Sequence, residues 1–143
     1  MEAAKTTAKI ALDGLLDEVN WQAAPLIADF FRMKPKQGGN YDFLTTVRLL
    51  FNNETKDNDW DALWFVKTKI LENGWSVEFA IPFKSLRYEL PKAGEAVSWG
   101  FTASRLAHWT DEQRVFPPTP KAFSPYRMTY AAPWKVWNFP NQP

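Results

Sequence analysis

The chain has 143 residues, 45% of them hydrophobic, a formal net charge of +1 and no cysteine. That length predicts one domain over residues 1–143 with a substantial core, and the hydrophobic fraction argues against disorder. The charge balance gives no reason to expect nucleic acid or an anionic membrane surface, the missing cysteines exclude disulfides and thiolate chemistry, and no apolar run approaches the about 20 residues of a membrane span.

In chain order, residues 8–12 read as a first strand, followed by a turn at Asp13-Gly14. Residues 15–24 close at Pro25 and predict a single helical turn, and residues 26–33 predict a second strand. Residues 34–42, with Pro35, Gly38, Gly39 and Asn40, predict a loop. Residues 44–51 alternate, Val47, Leu49 and Phe51 on one side, as a half-buried strand does. Residues 52–59 are a polar turn. Residues 60–71 predict a strand with Trp64, Val66, Thr68 and Ile70 on one face, and Glu72-Asn73-Gly74 supplies hairpin chemistry. In the next strand Trp75, Val77, Phe79 and Ile81 alternate with Ser76, Glu78 and Ala80. The apolar set is expected to face a core and Glu78 to be solvated or salt-bridged on the other side.

Pro82 ends ladder pairing, and residues 83–88 predict a turn-like or helical exit. Residues 89–96 form a loop and 97–109 a long strand with Trp99, Phe101, Ala103 and Arg105 on one face. From Phe116 the tail is punctuated by proline, and only residues 126–130 suggest a strand. Short strands separated by turns, with no long helical period, predict an all-β antiparallel sandwich. Its initial Met-Glu-Ala-Ala-Lys lacks a charged region followed by an apolar one, so no signal peptide is read there.

Five segments carry a family resemblance. DGLLDEVNWQAA (13–24) resembles the opening "D-G-x-L-D-E-x-x-W-x-x-A" of carbohydrate-binding module family 9 and its DOMON-like relatives. TTVRLLF (45–51) is similar to the following strand, GWSVEFAIPFKSLRY (74–88) to its "W-x-x-E-x-x-I-P-[FY]-x-x-L-R-[FY]" signature, and WGFTASR (99–105) to the strand after it. FSPYRMTY (123–130) is similar to the closing strand of bacterial members. The resemblance implies a jelly-roll-like sandwich shortened internally, because residues 52–59 span a distance that several strands normally fill. Lost strands expose ladder edges, so a rearranged smaller sandwich or a homodimer that completes the sheets is expected.

Catalytic patterns are nearly absent. His108 is the single histidine, no nucleophile elbow or phosphate loop is present, and an enzyme is not expected, an accessory domain of a glycoside hydrolase being the nearest role to one. Eight Trp in so small a domain exceed what a core readily absorbs. Trp21, Trp75 and Trp99 belong to the shared structural segments and are assigned to the core. This leaves Trp60, Trp64, Trp109, Trp134 and Trp137 as sugar-stacking candidates, with Arg105 and Gln113 as hydrogen-bonding partners near Trp109. Asp57, Asp59 and Asp61 form an oxygen-rich loop of the kind that suits calcium, which the resemblance also implies.

The resemblance thus implies a non-catalytic module of a secreted or cell-surface bacterial protein, binding plant or algal polysaccharide of the cellulose, xylan or β-glucan type. Two alternatives belong to other classes. One is a DOMON-type haem domain, drawing axial ligands from Met33, His108 or Met128. The other is a structural N-terminal domain of a larger outer-membrane protein.

Overall fold

The computed structural model describes residues 1–39, 43–51, 64–86, 88–89, 91–92 and 94–137, with Lys84 in backbone only. Strands dominate and helix is nearly absent, so the protein is all-β. The predicted helical turn is α1 (Val19–Ala23), and Arg48 Nη1 donates to the Trp21 and Ala24 carbonyls at its end (2.9 and 2.6 Å). A cation on the last carbonyls is the favourable arrangement for a helix C-terminus.

The first strand is β1 (Ala4–Lys5), and residues 8–12 form no strand. The predicted strand over 26–33 divides into β2 (Leu26–Ile27) and β3 (Phe31–Lys34), and that over 44–51 into β4 (Val47–Arg48) and β5 (Leu50–Phe51). Each piece pairs differently: β2 with β4, and β5 in parallel with β1. The hairpin is intact, with β6 (Phe65–Leu71) and β7 (Gly74–Ala80) in antiparallel register from Phe65↔Ala80 to Leu71↔Gly74. The long strand predicted over 97–109 changes partners at Thr102. Its first half, β8 (Val97–Phe101), and second half, β9 (Ala103–Ala107), join different sheets.

Besides β1, two strands escaped the sequence reading. β10 (Glu112–Phe116) is the centre of a three-stranded antiparallel sheet, β3-β10-β9. Its polar start hides the fact that it is covered on both faces, Arg114 and Val115 being 0% and 1% exposed. β11 (Ala132–Val136) pairs with β8, whereas the expected strand over 126–130 is a turn with a 3-10 segment, Met128–Tyr130. Pro133 is tolerated because its missing N–H faces away from β8. On that other side Lys135 N donates to Met1 O and Ala3 N to Lys135 O (2.9 and 2.8 Å). The N-terminal residues therefore run between β11 and β5 and tie the two together.

A core of Phe51, Val97 and Val136 forms where these strands meet, flanked by Phe83, Tyr88, Trp99 and Trp134. Trp99 lies flat on Phe83 (5.6 Å, 9°), edge-on to Tyr88 (5.7 Å) and tilted against Trp134 (5.7 Å). Such ring pairs add about 0.5–1.5 kcal/mol each beyond burial. Trp99 thus occupies the structural role expected of it.

Trp75 does not. The hairpin is turned over relative to expectation: Trp75 is 59% exposed, Phe79 and Ile81 are about half exposed, and Glu78 is 2% exposed. Glu78 Oε2 accepts from the Asp13 and Gly14 amides (3.2 and 3.1 Å), and the Ser76 hydroxyl donates to the Gly14 carbonyl. These bonds draw the polar side of β7 inward. Gly14 sits at φ +88°, and a Cβ there would meet the Thr68 carbonyl carbon at 2.9 Å, so the turn packs directly on the β6 backbone. Among the described residues, no helix is long and apolar enough to cross a membrane.

Candidate functional site

The loop into β8 and the outer face of the β8–β11 pair enclose an open cleft of about 380 Å³. It is lined by Gly94, Glu95, Ala96, Ser98, Lys135 and Trp137. Ser98 and Lys135 are directly opposed across the two strands, so both project to this face, and Trp137 follows two residues after Lys135. The Trp137 indole N–H donates to Glu2 Oε1 (3.3 Å), which fixes the ring through the N-terminal segment. The Glu95 amide donates to the Lys92 carbonyl (3.0 Å) and the Lys92 amide donates to Glu95 Oε2 (3.3 Å), closing a turn through Gly94 at φ +82°. A second hollow of about 300 Å³ adjoins it, sharing Glu95, Ala96 and Ser98 and adding Tyr88, Glu89, Pro91 and Trp99.

The cleft is shallow and open to solvent, so a ligand there would be covered on one side only. The walls hold one half-exposed indole, carboxylates that accept, and an ammonium and a hydroxyl that donate. Such a set can cover an apolar ring face while bonding hydroxyls around its edge. Of the sequence candidates, Trp137 lies here. Glu2, Glu95, Ser98 and Lys135 were not singled out. The Pro133-Trp-Lys-Val-Trp137 alternation was the available signal, masked by the prolines around it.

The other candidates are dispersed. Trp109 is exposed at the tip of the β9–β10 loop, edge-on to Phe43 (5.9 Å, 84°). Asp111 takes φ +50° as that loop turns back. Trp134 faces inward onto Trp99 rather than toward a ligand. Trp64 is exposed and stacks on Phe79 of the hairpin (5.5 Å, 21°). Arg105 and Gln113 do not share a face: Gln113 Nε2 donates to Ser104 Oγ (3.1 Å), while Arg105 turns to the opposite side.

On that opposite side Arg32, Arg114 and Arg105 are direct cross-strand neighbours on β3, β10 and β9. Like charges so placed are destabilising unless something neutralises them. Glu112 does so. Its Oε1 accepts from Arg114 Nε (2.7 Å) and Arg105 Nη2 (3.2 Å), and its Oε2 lies 3.9 Å from Arg32 Nη1. The Arg114 hydrogen bond, helped by the surrounding positive charge, holds the Glu112 carboxyl below its ordinary range against the opposing effect of burial. Burial and then the Arg114 charge lower Arg105, with Glu112 acting the other way. Arg32 Nε donates to the Gly38 and Lys36 carbonyls (2.8 and 3.1 Å), so this cluster also pins the 35–39 loop. Arg105 therefore serves the scaffold.

Trp60 and the calcium candidates Asp57, Asp59 and Asp61 lie outside the described residues. Among the described residues no three His, Cys, Asp or Glu side chains gather as a metal site. Of the haem-ligand candidates, Met33 is buried in the core, while His108 and Met128 are exposed. Comparison with family models, curated proteins and solved structures finds no match.

Proposed function

We propose that this chain is a non-catalytic carbohydrate-binding module, a reduced β-sandwich that holds a short stretch of plant or algal polysaccharide outside the cell. The observation that carries this reading is the cleft beside Trp137. There an indole held by Glu2 stands next to Lys135, Ser98 and Glu95. An aromatic ring presents a rigid apolar plane with little entropy to lose, and sugar rings offer flat C–H faces to it. The charged groups give orientation, since a carboxylate accepts from hydroxyls and an ammonium donates to them. The sandwich architecture is supported by the partner change at Thr102, which passes one strand from the β8–β11 pair to the β3-β10-β9 sheet.

Affinity electrophoresis against cellulose derivatives, xylan and mixed β-glucan, backed by fluorescence titration with the matching oligosaccharides, tests the assignment. Trp137→Ala is expected to weaken retention roughly tenfold or more, as loss of an aromatic anchor does. Trp109→Ala is expected to leave retention unchanged. An unretained parent protein, or a Trp137→Ala variant that binds as well as its parent, overturns the proposal.

A further inference from the structure

The outward face of the β6–β7 hairpin carries Trp64, Val66, Thr68 and Ile70 from one strand, and Trp75, Val77 and Phe79 from the other, with Ile81 just beyond. The register places Val66 opposite Phe79, Thr68 opposite Val77 and Ile70 opposite Trp75. Among the described residues of the hairpin no charged side chain lies on this face, because Lys67, Lys69 and Glu78 alternate to the other one. Ile70 is 88% exposed, and Trp64, Val66, Trp75, Phe79 and Ile81 range from about half to three-fifths exposed. Contiguous large apolar side chains this exposed form a patch of the kind that marks an interaction surface, unlike apolar residues scattered singly.

We propose that this face is the interface of a homodimer, two hairpins packing face to face about a two-fold axis. Three observations select a second copy over another partner. The ribbon runs through seven paired positions, from Phe65↔Ala80 to Leu71↔Gly74, and so offers a second copy an extended surface rather than a single anchoring point. A face without charge offers no complementarity to an acidic or a basic partner, whereas an apolar ribbon is complementary to itself under two-fold symmetry. The pairing also has a simple geometry: two twisted ribbons stack about 10 Å apart with interdigitating side chains, as the inner faces of sheets do. Each protomer then supplies the apolar layer that the other's hairpin lacks. The Trp137 cleft lies on different strands, so the dimer stands independently of sugar binding.

Sedimentation velocity on the full chain from about 1 to about 200 μM brackets a micromolar dissociation constant. The parent is expected to sediment as a dimer at the upper end, and Ile70→Lys as a monomer with unchanged far-UV circular dichroism. Trp75→Ser serves as a second variant if Ile70→Lys fails to fold, and Lys67→Ala on the opposite face is expected to stay dimeric. A parent that is monomeric throughout, including one that binds another protein through this face, overturns the proposal. So does dimerisation that survives a folded Ile70→Lys or Trp75→Ser.

Discussion

Glu78 in the hairpin and Glu112 in the three-stranded sheet are both buried carboxylates, yet they sit in opposite electrostatic surroundings. Glu112 faces three arginines and accepts charge-assisted bonds, so its ionised form is the one the fold uses. Glu78 accepts from the amides of Asp13 and Gly14, with Glu18 and Asp13 carboxylates nearby. Burial is the largest influence there and pushes its pKa up, offset in part by the two amides. The surroundings of the two elements differ in the same way. β10 is enclosed on both faces and carries a network of opposed charges, whereas the hairpin is anchored along one side and leaves its apolar side to solvent. A buried charge is tolerable where counter-charges converge on it, and an apolar face is tolerable in water only at the cost that association removes.

The contrast breaks most sharply at Glu112. Glu112→Gln removes the carboxylate that Arg32, Arg105 and Arg114 share, and removal of one partner from a buried ionic group costs about 3–5 kcal/mol. Urea denaturation is expected to show that loss as a lowered midpoint, and a change under about 1 kcal/mol would mean that the network is solvent-screened. Gly14→Ala comes next. It places a Cβ at positive φ against the Thr68 backbone, with an expected cost of about 1–3 kcal/mol by thermal unfolding.

The smallest effect is a pH slope. The contribution of Glu78, whose folded pKa is raised, is fully present below its unfolded value and fades as pH rises through the folded one. That of Glu112, whose folded pKa is lowered, is present above its unfolded value and is lost as pH falls through the folded one. Glu78→Gln is therefore expected to flatten the decline in melting temperature on the neutral side of the carboxylate range while leaving the acid limb intact. An unchanged neutral limb would show that Glu78 ionises freely in the folded state.

Local patterns made much of the hairpin legible. Its alternation, its Glu72-Asn73 turn and its register follow from residues adjacent in sequence. The direction of its apolar face was not legible, because a period of two distinguishes the sides of a strand without saying which one meets protein. The decision lay with Asp13 and Gly14, some 65 residues away, whose amides claim Glu78. The candidate site divides similarly. Trp137 was visible as an aromatic in excess of core demand, but Glu2 joins it only through the pairing of the N-terminal segment with β11, and Glu95 and Ser98 through that of β8 with β11.

By itself the sequence determined an all-β chain, the hairpin, the helical turn before Pro25 and the surplus of tryptophan, all of which follow from composition and short-range periodicity. The tertiary structure alone decided that Arg105 is scaffold, that Trp134 faces inward, and that β10 and β11 are strands at all. It also decided which side of the Trp75 strand meets water. Each of these depends on partners distant in sequence, and burial and charge neutralisation exist only once those partners are brought together.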